Sequence, residues 1–335
     1  MKSLVTGGAG FLGSHLVDAL VERGERVTVI DNLKRGSLNH LSAHVDAGTI
    51  RILGADIRDY EAILAVMNGM EVVYHLAAQS NVIGSFLDPD YSFSTNVVGT
   101  YNVLKAASTA GVRRVVFASS REVYGQAENL PVAESAPIAP RSAYGASKIA
   151  GEAYCRVWSG AKDLECQVVR LANIYGPRDY DRVIPRWIER ARRDDYLELY
   201  GGDQVLDFLW SGHAVAALLA AARCPLDGPI NVGSSIGIPL AQLARRILEL
   251  TGSRSGVRVL PGRPGEVARF IADVGKMRKV LNVHPEGDPL EWLACLTANT
   301  VPSIESSPCG MTAQWHASPL PESVKSPSAG MNSQS

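Results

Sequence analysis

Cysteine is scarce in this sequence, and none of it is arranged to bind a metal or to build a disulfide framework. The chain has five cysteines in 335 residues, no two of them form a C-x-x-C pair, and none has zinc-finger spacing. An odd and scattered set of cysteines is typical of reduced thiols in a cytosolic protein. We therefore predict a cytoplasmic protein without a metal site. The cysteines are Cys155, Cys166, Cys224, Cys295 and Cys309.

The sequence also lacks an excess of charge and a long hydrophobic run. The formal net charge is -1, so no positive field favours nucleic acid or an anionic membrane as a partner. The longest apolar run, Ala214 to Ala222, is about half the length needed to cross a bilayer. The first residues, Met1 to Thr6, lead directly into a glycine turn, which predicts a strand rather than a cleavable leader.

The sequence does contain a regular alternation of short apolar runs with helical stretches. Such alternation predicts an α/β fold, in which a Rossmann-type doubly wound parallel sheet is covered by helices on both faces. The predicted strands are Ser3–Thr6, Arg26–Ile30, Ile50–Gly54, Glu71–Leu76, Val112–Ser119 and Cys166–Leu171. The predicted helices that separate them include Phe11–Arg23, Tyr60–Met67 and Tyr91–Ala110.

Changes in composition predict how the chain is divided. Residues 1–173 are predicted to form a dinucleotide-binding domain, to which residues 212–234 return with one helix and one strand. Residues 174–211 and 235–298 are predicted to form a smaller C-terminal substrate-binding lobe across a cleft. Residues 299–335 are rich in serine and proline and poor in aliphatic side chains, which predicts a disordered tail.

A glycine-rich turn follows the first predicted strand and opens the first predicted helix. It matches both G-x-G-x-x-G and G-x-x-G-x-x-G. Glycines at these positions let the chain turn sharply, let a pyrophosphate approach the backbone and let the helix pack on the strand. The helix N-terminus then offers N–H groups and a positive dipole end to the phosphates. The residues predicted to contact the cofactor here are Gly7, Gly10, Phe11, Leu12 and Gly13.

An acidic residue, Asp31, ends the second predicted strand. A carboxylate at this position accepts hydrogen bonds from the adenosine ribose and repels a 2′-phosphate, so NAD is the predicted cofactor. Lys34 and Arg35 are close enough in the sequence to weaken the preference over NADP. Asp56 and Ile57 follow the third predicted strand, where Asp56 is expected either to contact adenine or to cap a helix.

Tyr144 and Lys148 are the predicted catalytic pair. Their four-residue spacing places the phenol and the ammonium on one helical face. A phenol with a pKa of about 10 is too weak a base at neutral pH, and a neighbouring ammonium stabilises the phenolate. Ser120 follows a predicted strand at its C-terminal end, where ligands bind in open α/β sheets. It is predicted to share a substrate hydroxyl with Tyr144.

These motifs together resemble the extended short-chain dehydrogenase/reductase family, and within it the nucleotide-sugar 4-epimerases and dehydratases. The resemblance covers about residues 3–285. The matching segments are Thr6–Gly13, Asp31–Leu33, Asp56–Arg58, His75–Gln79, Asn96–Thr100, Ser119–Gly125, Tyr144–Lys148, Asn173–Pro177 and Arg263–Glu266.

The resemblance implies a role for each matching position. It implies NAD-dependent oxidation at C4 of a UDP-sugar, followed by return of hydride to the other face. It also implies a homodimer. Ser120, Tyr144 and Lys148 form the implied catalytic set. Implied cofactor contacts, besides the glycine turn, are Asp31, Asn32, Asp56, Ile57, Leu76, Ala77, Ala78, Asn96, Tyr144 and Lys148, of which Asn96 is also implied to support the active-site helix. Implied substrate contacts are Ser80, Ser120, Arg121, Tyr144 and Arg182, with Asn173 and Arg263 at the diphosphate, Glu266 at the ribose of the nucleotide, and Val183, Leu199 and Tyr200 around a uracil.

Two departures from the family pattern narrow the reaction. Dehydratases of this family have an aspartate at the position of Arg121, so dehydration is not expected. Glucuronate decarboxylases use an arginine at the position of Leu206, which weakens that alternative. Many epimerases also hold the diphosphate with that arginine, so Arg178 or Arg182 is needed as a replacement. Phe270 matches a position that controls pocket size, and its bulk argues against N-acetylated sugars.

Arg182 is the residue that favours a particular sugar. Its planar guanidinium, beside the predicted uracil contact Val183, suits a hexuronate carboxylate. We therefore favour a UDP-glucuronate 4-epimerase that forms UDP-galacturonate, with a UDP-glucose 4-epimerase as the nearest alternative. A UDP-glucuronate decarboxylase is a further alternative. The alternative from another class is a non-catalytic module that senses NAD.

Overall fold

The computed structural model describes residues 1–161, 164–263 and 265–298. The predicted tail at 299–335 and Cys309 lie outside these residues. The strands are β1 (Lys2–Thr6), β2 (Arg26–Asp31), β3 (Ile50–Gly54), β4 (Val72–His75), β5 (Arg114–Ser120), β6 (Glu165–Leu171), β7 (Asn173–Tyr175), β8 (Leu197–Tyr200), β9 (Val205–Trp210), β10 (Ile230–Val232), β11 (Gly237–Pro239), β12 (Val257–Leu260) and β13 (Arg269–Phe270). The helices are α1 (Phe11–Glu22), α2 (Ser42–Asp46), α3 (Tyr60–Met67), α4 (Val82–Leu87), α5 (Pro89–Phe93), α6 (Gly99–Thr109), α7 (Ala143–Ala161), α8 (Val183–Arg192), α9 (Ser211–Ala221), α10 (Leu240–Thr251) and α11 (Leu293–Thr297).

The large sheet is parallel and doubly wound, as predicted. In the part of the chain that the structure describes, it has seven strands in the order β3-β2-β1-β4-β5-β6-β10. Neighbouring residues of a strand point to opposite faces, and both faces are covered. Val5 packs in the cluster that contains α1 and α9, whereas Leu4 packs in the cluster that contains α3, α6 and α7. The apolar strands are therefore buried on both sides, as parallel sheets require.

The smaller lobe is organised around β9. This strand pairs in parallel with β7 and β13 and antiparallel with β11, while β8 and β12 form a separate parallel pair. Helix α10 buries Leu240, Leu243, Ala244 and Ile247, a spacing that turns one apolar stripe towards the core. Because β10 lies in the large sheet, we propose the domain division 1–173 with 212–234, and 174–211 with 235–298.

The long helix predicted near Tyr91–Ala110 is present, and it contains one irregular turn. Its first part, α5, begins at Pro89 after Asp88, whose carboxylate accepts from Tyr91 N at 3.0 Å. A π-helical turn over Ser94–Val98 separates α5 from α6. Such turns add one residue to the helix and often occur at functional sites. The extra residue changes which side chains of this segment face α7.

The cysteines agree only in part with the predicted reduced set. Cys155, Cys166 and Cys224 are free thiols. Cys295 is disulfide-bonded, so the prediction is wrong for this residue. An odd and scattered set of cysteines does not exclude a disulfide, because sequence spacing does not reveal which cysteines a fold brings together.

A buried carboxylate, that of Asp207 in β9, joins the two lobes. It is completely buried. Its oxygens accept from Ser234 N and Oγ at 2.7 Å and from Ser235 N at 3.0 Å, just after β10. They also accept from Ala272 N at 3.0 Å, just after β13. One side chain therefore connects the edge of the large sheet to two strands of the small one.

We predict that Asp207→Asn lowers the free energy of unfolding by roughly 3 kcal/mol, because an amide leaves buried donors without an acceptor. Urea denaturation followed by circular dichroism measures this change. Asp46→Asn is the control, since Asp46 is exposed at the end of α2 and should change stability by less than about 0.5 kcal/mol. Equal stability of the two variants would contradict the role given to Asp207.

Candidate active site

A deep cleft runs along the C-terminal ends of the large sheet's strands and faces the smaller lobe. Its volume is about 1050 Å³. That volume is at the upper end of the range for a pocket that holds one small ligand. The position is where open α/β sheets bind their ligands. The cleft is therefore a large ligand site in the position expected for this fold.

The glycine turn brings the backbone against the floor of this cleft. Gly7 has a φ of +72°, and a Cβ there would lie 2.7 Å from Ala77 N. A Cβ on Gly13 would lie 2.0 Å from Gly7 O. Only glycine fits at these two positions, because any other residue has a Cβ. Helix α1 begins directly afterwards at Phe11, so its free N–H groups are available to phosphates.

Asp31 lies at the end of β2 and faces the cleft. Its carboxylate accepts from Ala9 N at 3.0 Å and from Leu33 N at 2.8 Å. Burial raises the pKa of Asp31, and these two hydrogen bonds oppose the rise. A carboxylate has about four acceptor positions, so two remain for ribose hydroxyls. The glycine turn and Asp31 therefore fit a dinucleotide with an unphosphorylated ribose.

The two basic residues after Asp31 are directed elsewhere. Lys34 Nζ lies 3.1 Å from the centroid of the Tyr91 ring. Arg35 donates to Ser80 Oγ at 3.0 Å and to Asp181 at 2.6 Å. Because both cations already have partners, neither is held ready for a 2′-phosphate.

The structure brings Ser120, Tyr144 and Lys148 together at the end of β5 and the start of α7. Lys148 Nζ donates to Ala118 O at 2.8 Å and lies 5.7 Å from the centroid of the Tyr144 ring. Burial lowers the pKa of Lys148 to about 8. Burial also raises the pKa of Tyr144, while a hydrogen bond with Ser120 opposes that rise.

Two arginines and one glutamate surround the phenol of Tyr144. The charges of Arg182 and Arg121 lower its pKa, and that of Glu122 raises it. Arg182 stacks over the Phe11 ring at 5.2 Å and pairs with Asp179 at 3.2 Å. This end of the cleft is therefore rich in cations.

Arg121 is held by its neighbours but keeps one free donor. It pairs with Glu122 at 2.9 Å and donates from Nε to Asn173 Oδ1 at 3.2 Å. Its Nη1 and the Oε2 of Glu122 are buried and have no hydrogen-bond partner in the described part of the chain. Buried polar atoms without partners are rare. Both atoms lie in residues that line the cleft, so they are available to a ligand.

A further group of cleft residues comprises those predicted to bind a nucleotide. The guanidinium of Arg263 lies 3.4 Å from the centroid of the Tyr200 ring, and its Nη1 lies 3.7 Å from Glu266. Val183 and Leu199 also line the cleft. Arg263 thus occupies one face of Tyr200, so a base stacked on that face must displace it.

Three predictions of direct contact are not supported. Asp56 and Asn96 are not among the residues that line the cleft, because their polar groups are used elsewhere. Asp56 binds Arg58 and Asn32, and the helix cap expected of it is supplied by Asp59. Asn96 bonds Gln79 and Ser147, so it supports α7 from behind, which is the other role that the resemblance implies for it. Phe270 does not line the cleft either.

Phe270 is turned away from the sugar end of the cleft. It is 1% exposed, stacks on Tyr124 and lies behind Arg121, whose guanidinium is 5.6 Å from its ring. Arg121 therefore separates Phe270 from the ligand space. The predicted exclusion of N-acetylated sugars by Phe270 has no direct contact to support it.

Several residues of the cleft were not predicted from the sequence. Arg186 on α8 lines the cleft, is exposed and has no ion pair among the described residues. Its spacing of four from Arg182 was a signal that could have identified it. The others gave no local signal, because distant segments bring them to the cleft; they include Glu122, Asp179 and Gln204.

No group of three or more metal-ligating side chains occurs in residues 1–161, 164–263 and 265–298. Across the same residues, no helix has the length and hydropathy that would let it cross a bilayer.

We predict that Gly7→Ala weakens NAD binding by about tenfold or more, since its Cβ would meet the Ala77 backbone beneath the cofactor. Gly48→Ala is a matched control. Gly48 has a similar φ of +64°, but a Cβ there meets nothing within 4 Å. Both variants therefore carry roughly 1 kcal/mol of left-handed strain. Calorimetric titration with NAD separates them, and equal affinities would contradict the prediction.

Comparison with known proteins agrees with this geometry. The sequence model of the "NAD dependent epimerase/dehydratase family" matches residues 3–233. A putative UDP-glucose 4-epimerase of Methanocaldococcus jannaschii is 35% identical over 87% of this chain and 95% of its own. A UDP-N-acetyl-alpha-D-glucosaminuronate decarboxylase of Bacillus cytotoxicus is 35% identical over 85% of this chain and 92% of its own.

A solved structure gives the same result. The Thermus thermophilus UDP-glucose 4-epimerase in complex with NAD has a TM-score of 0.83 and 32% identity, covering 89% of this chain and 98% of that one. The predicted resemblance and the predicted fold are thereby confirmed. The chain belongs to the NAD dependent epimerase/dehydratase family, so it is an enzyme whose cofactor is NAD.

Proposed function

We propose that this enzyme is a UDP-sugar 4-epimerase whose favoured substrate is UDP-glucuronate, which it converts to UDP-galacturonate. The observation that carries the proposal is the meeting of Tyr144, Lys148 and Ser120 with the guanidinium of Arg182 at one end of the cleft. The first three suit proton transfer at a sugar hydroxyl. The arginine suits the C6 carboxylate of a hexuronate, which is attached to C5, the ring carbon next to C4.

The chain's own residues hold and move the proton on O4. Bound NAD supplies a hydride acceptor and donor for C4. Burial keeps Tyr144 protonated at neutral pH in the free enzyme, so it becomes a base only when positive charge is near. The ammonium of Lys148 provides part of that charge. Ser120 bonds the phenol and orients the same hydroxyl, and Tyr144 returns the proton after the keto sugar has turned over.

Arg121 supports epimerisation rather than elimination. Loss of water from the sugar needs an acid beside the leaving hydroxyl. At that position the chain has an arginine, already paired with Glu122 at 2.9 Å. Glu122 keeps one free oxygen, which is the specific observation that keeps the decarboxylase alternative open. Release of CO₂ and a pentose product would favour that alternative.

The arginines of α8 support a division of the substrate along the helix. Arg182 lies at the Phe11 and Tyr144 end, and Arg186 lies one turn further along the cleft. Arg178, the other arginine predicted as a replacement at the diphosphate, pairs with Asp18 at 2.8 Å. We therefore assign the carboxylate to Arg182 and the diphosphate to Arg186 together with Asn173 and Arg263.

The nucleotide end of the proposal uses the remaining predicted contacts. Val183, Leu199 and Tyr200 would hold the uracil, and Glu266 would meet its ribose. Gln204 donates to Glu266 at 3.3 Å, which fixes the carboxylate towards the cleft. UDP-glucose remains the second candidate substrate, because the relatives from Methanocaldococcus jannaschii and Thermus thermophilus are named UDP-glucose 4-epimerases.

We further propose a cytoplasmic homodimer formed through the outer faces of α5, α6 and α7. Phe93 and Val157 are 60% and 58% exposed. Beside them, Tyr101, Tyr154 and Trp158 form an aromatic cluster with ring centroids 5.5 to 5.8 Å apart. An apolar face of this kind is typical of an interface. The molar mass from light scattering tests it, and a monomer would exclude the dimer.

The direct test is to incubate the purified protein with UDP-glucuronate and with UDP-glucose and to follow the anomeric proton signals. Appearance of a galacto product without net reduction of NAD supports the epimerase. Conversion of UDP-glucose alone would leave the 4-epimerase proposal standing and reject the preferred substrate. Turnover of neither sugar would reject the proposal.

We predict that Tyr144→Phe lowers kcat by about a thousandfold, because it removes the acid–base group and leaves the ring. NAD binding should be unchanged. Tyr74→Phe is the matched control: its buried phenol oxygen has no hydrogen-bond partner within the described residues, so its loss should leave kcat within twofold or so. If Tyr144→Phe keeps its activity, the proposed mechanism is wrong.

We predict that Arg182→Gln lowers kcat/KM for UDP-glucuronate by about a hundredfold and for UDP-glucose by less than about tenfold, since only the first brings a carboxylate. Arg186→Gln, which removes the same charge from the same helix, should raise KM for both sugars alike. Steady-state kinetics of the two variants on the two substrates measures this. An equal loss on both sugars in Arg182→Gln would reject its assignment to the carboxylate.

A further inference from the structure

The end of β5 is joined to α7 by contacts from three consecutive residues, 118–120. Tyr144, Lys148 and Glu152 are spaced four residues apart, so they lie along one face of α7. Each of them meets one residue of the strand end. The contacts are Lys148 Nζ to Ala118 O at 2.8 Å, Ser119 Oγ to Glu152 Oε1, and the hydrogen bond between Ser120 and Tyr144.

Glu152, the third side chain of this row, is held by a buried ion pair. Arg170 in β6 donates to Glu152 from Nε at 2.9 Å and from Nη2 at 2.6 Å. The two side chains are only 7% and 2% exposed. Arg170 also donates to Tyr124 OH at 2.8 Å. Neither member of the pair lines the cleft, so neither touches a ligand there.

A buried bidentate pair of this kind fixes geometry more than it adds stability. It connects α7 to β6, while Ser119 connects it to β5. Sliding α7 along the sheet would break all of these bonds at once. The bonds of Glu152 with Arg170 and Ser119 therefore fix the position of α7 on the sheet. That position determines where Tyr144 lies relative to Ser120 and where Lys148 lies relative to Ala118.

We infer that Glu152, held by Arg170, is a positioning residue for the proton-transfer pair: it sets the register of α7 on β5, and its negative charge keeps Lys148 in the ammonium form. The inference rests on the proposed roles of Tyr144 and Lys148. Glu152 itself is given no contact with substrate or cofactor.

The groups that face Lys148 support the second part of this inference. Burial lowers the pKa of Lys148, while Cys155 and Glu152 oppose the fall. A hydrogen bond with Cys166, together with burial, raises the pKa of the Cys155 thiol, and burial lowers the pKa of His75 from β4 to about 3. Both are thus neutral near pH 7. Among these groups, Glu152 therefore carries the negative charge, and its carboxylate is also bonded to Arg170.

Two substitutions of Glu152 separate register from charge. Glu152→Gln keeps the length and one acceptor but removes the charge, whereas Glu152→Asp keeps the charge but shortens the reach. Glu165→Gln is the matched control. Glu165 in β6 accepts from the buried Arg114 of β5 at 2.7 Å, so it forms a Glu–Arg pair that joins β6 to β5 at the start of these strands and does not involve α7.

The first readout needs no substrate. The side-chain carbons of ¹³C-labelled lysines are titrated by NMR, and the Lys148 signal is identified by its loss in Lys148→Arg. We expect Lys148 to lose its proton about one pH unit lower in Glu152→Gln than in wild type. Its titration should be unchanged in Glu165→Gln and in Glu152→Asp. If Glu152→Gln and Glu165→Gln titrate alike, the charge role is overturned.

The second readout is turnover of whichever UDP-sugar the wild type converts. Glu152→Asp should lower kcat by about ten- to a hundredfold at all pH values, the effect of misplacing the pair by up to ~1 Å, with KM unchanged. Glu152→Gln should shift the alkaline limb of kcat to lower pH. An unchanged kcat in Glu152→Asp overturns the register role.

A variant that fails to fold does not remove the test. The double substitution Glu152→Gln with Arg170→Gln leaves no unpaired buried charge, and Lys148 should still titrate at lower pH than in wild type, by less than in the single variant. No shift in the double variant overturns the charge role. Failure of the wild type to convert any UDP-sugar would reject the proposed function, whereas the NMR titration tests Glu152 separately.

Discussion

The burial of the Lys148 ammonium at the end of β5 is the constraint on which the rest of the site depends. The residue is 3% exposed, and an ammonium taken out of water is costly unless it is bonded and paired. Ala118 supplies a carbonyl at 2.8 Å, and Glu152 supplies the opposite charge. Both are available only if α7, β5 and β6 keep one relative position. The sheet order, which makes β5 and β6 neighbours, is therefore a requirement of the chemistry as well as of the core.

The cleft has a second constraint, because the segment after β7 crosses from the small lobe back to the large one. His15 bonds Pro177 O at 2.9 Å, Arg178 pairs with Asp18 at 2.8 Å, and Arg35 pairs with Asp181 at 2.6 Å. Exposed pairs of this kind contribute only about 0–1 kcal/mol each. Their shared position beside the glycine turn matters more than their strength.

That segment also carries residues that are proposed to face the sugar. Asp179 and Arg182 belong to it, and both line the cleft. The contacts between this segment and the large lobe therefore fix the position of Arg182 relative to Tyr144. Arg182 is the arginine assigned to the carboxylate. The two lobes do not have to be rigidly fused for the sugar end of the site to be well defined.

The parts of the site predicted correctly from sequence are those fixed by short-range chemistry. Gly7 needs a positive φ, Asp31 ends a strand, and Tyr144 and Lys148 share a helix face. Each of these follows from a few neighbouring residues. The strands of the large sheet were found for the same reason, since their apolar runs are continuous and bounded by turns.

What the sequence did not reveal depends on contacts between distant segments. Asp207 was not recognised as a junction, because its donors lie at Ser234 and Ala272. Phe270 was expected in the cleft, but Arg121 comes between them. The π-helical turn at Ser94–Val98 also has no local signal in the sequence. In each case tertiary contact decided where a side chain points, and a single sequence does not contain that information.

The proposed preference for a charged sugar depends on how firmly Arg182 is already held. Its partner Asp179 is 3% exposed as a side chain, and burial raises the pKa of that carboxyl, with Arg182 opposing the rise. One oxygen of Asp179 is buried without a hydrogen-bond partner among the described residues. Its hold on the arginine is therefore incomplete.

An incoming carboxylate does not have to break a fully satisfied pair. It binds to a cation whose first partner, the Asp179 carboxylate, is already destabilised by burial. A second carboxylate beside the same guanidinium would raise the pKa of Asp179 further. A hexuronate bound as proposed would therefore bind with an affinity that depends on the ionisation of Asp179, whereas a neutral hexose would not. The proposed assignment of the carboxylate to Arg182 thus makes binding of the charged sugar the more sensitive of the two to pH.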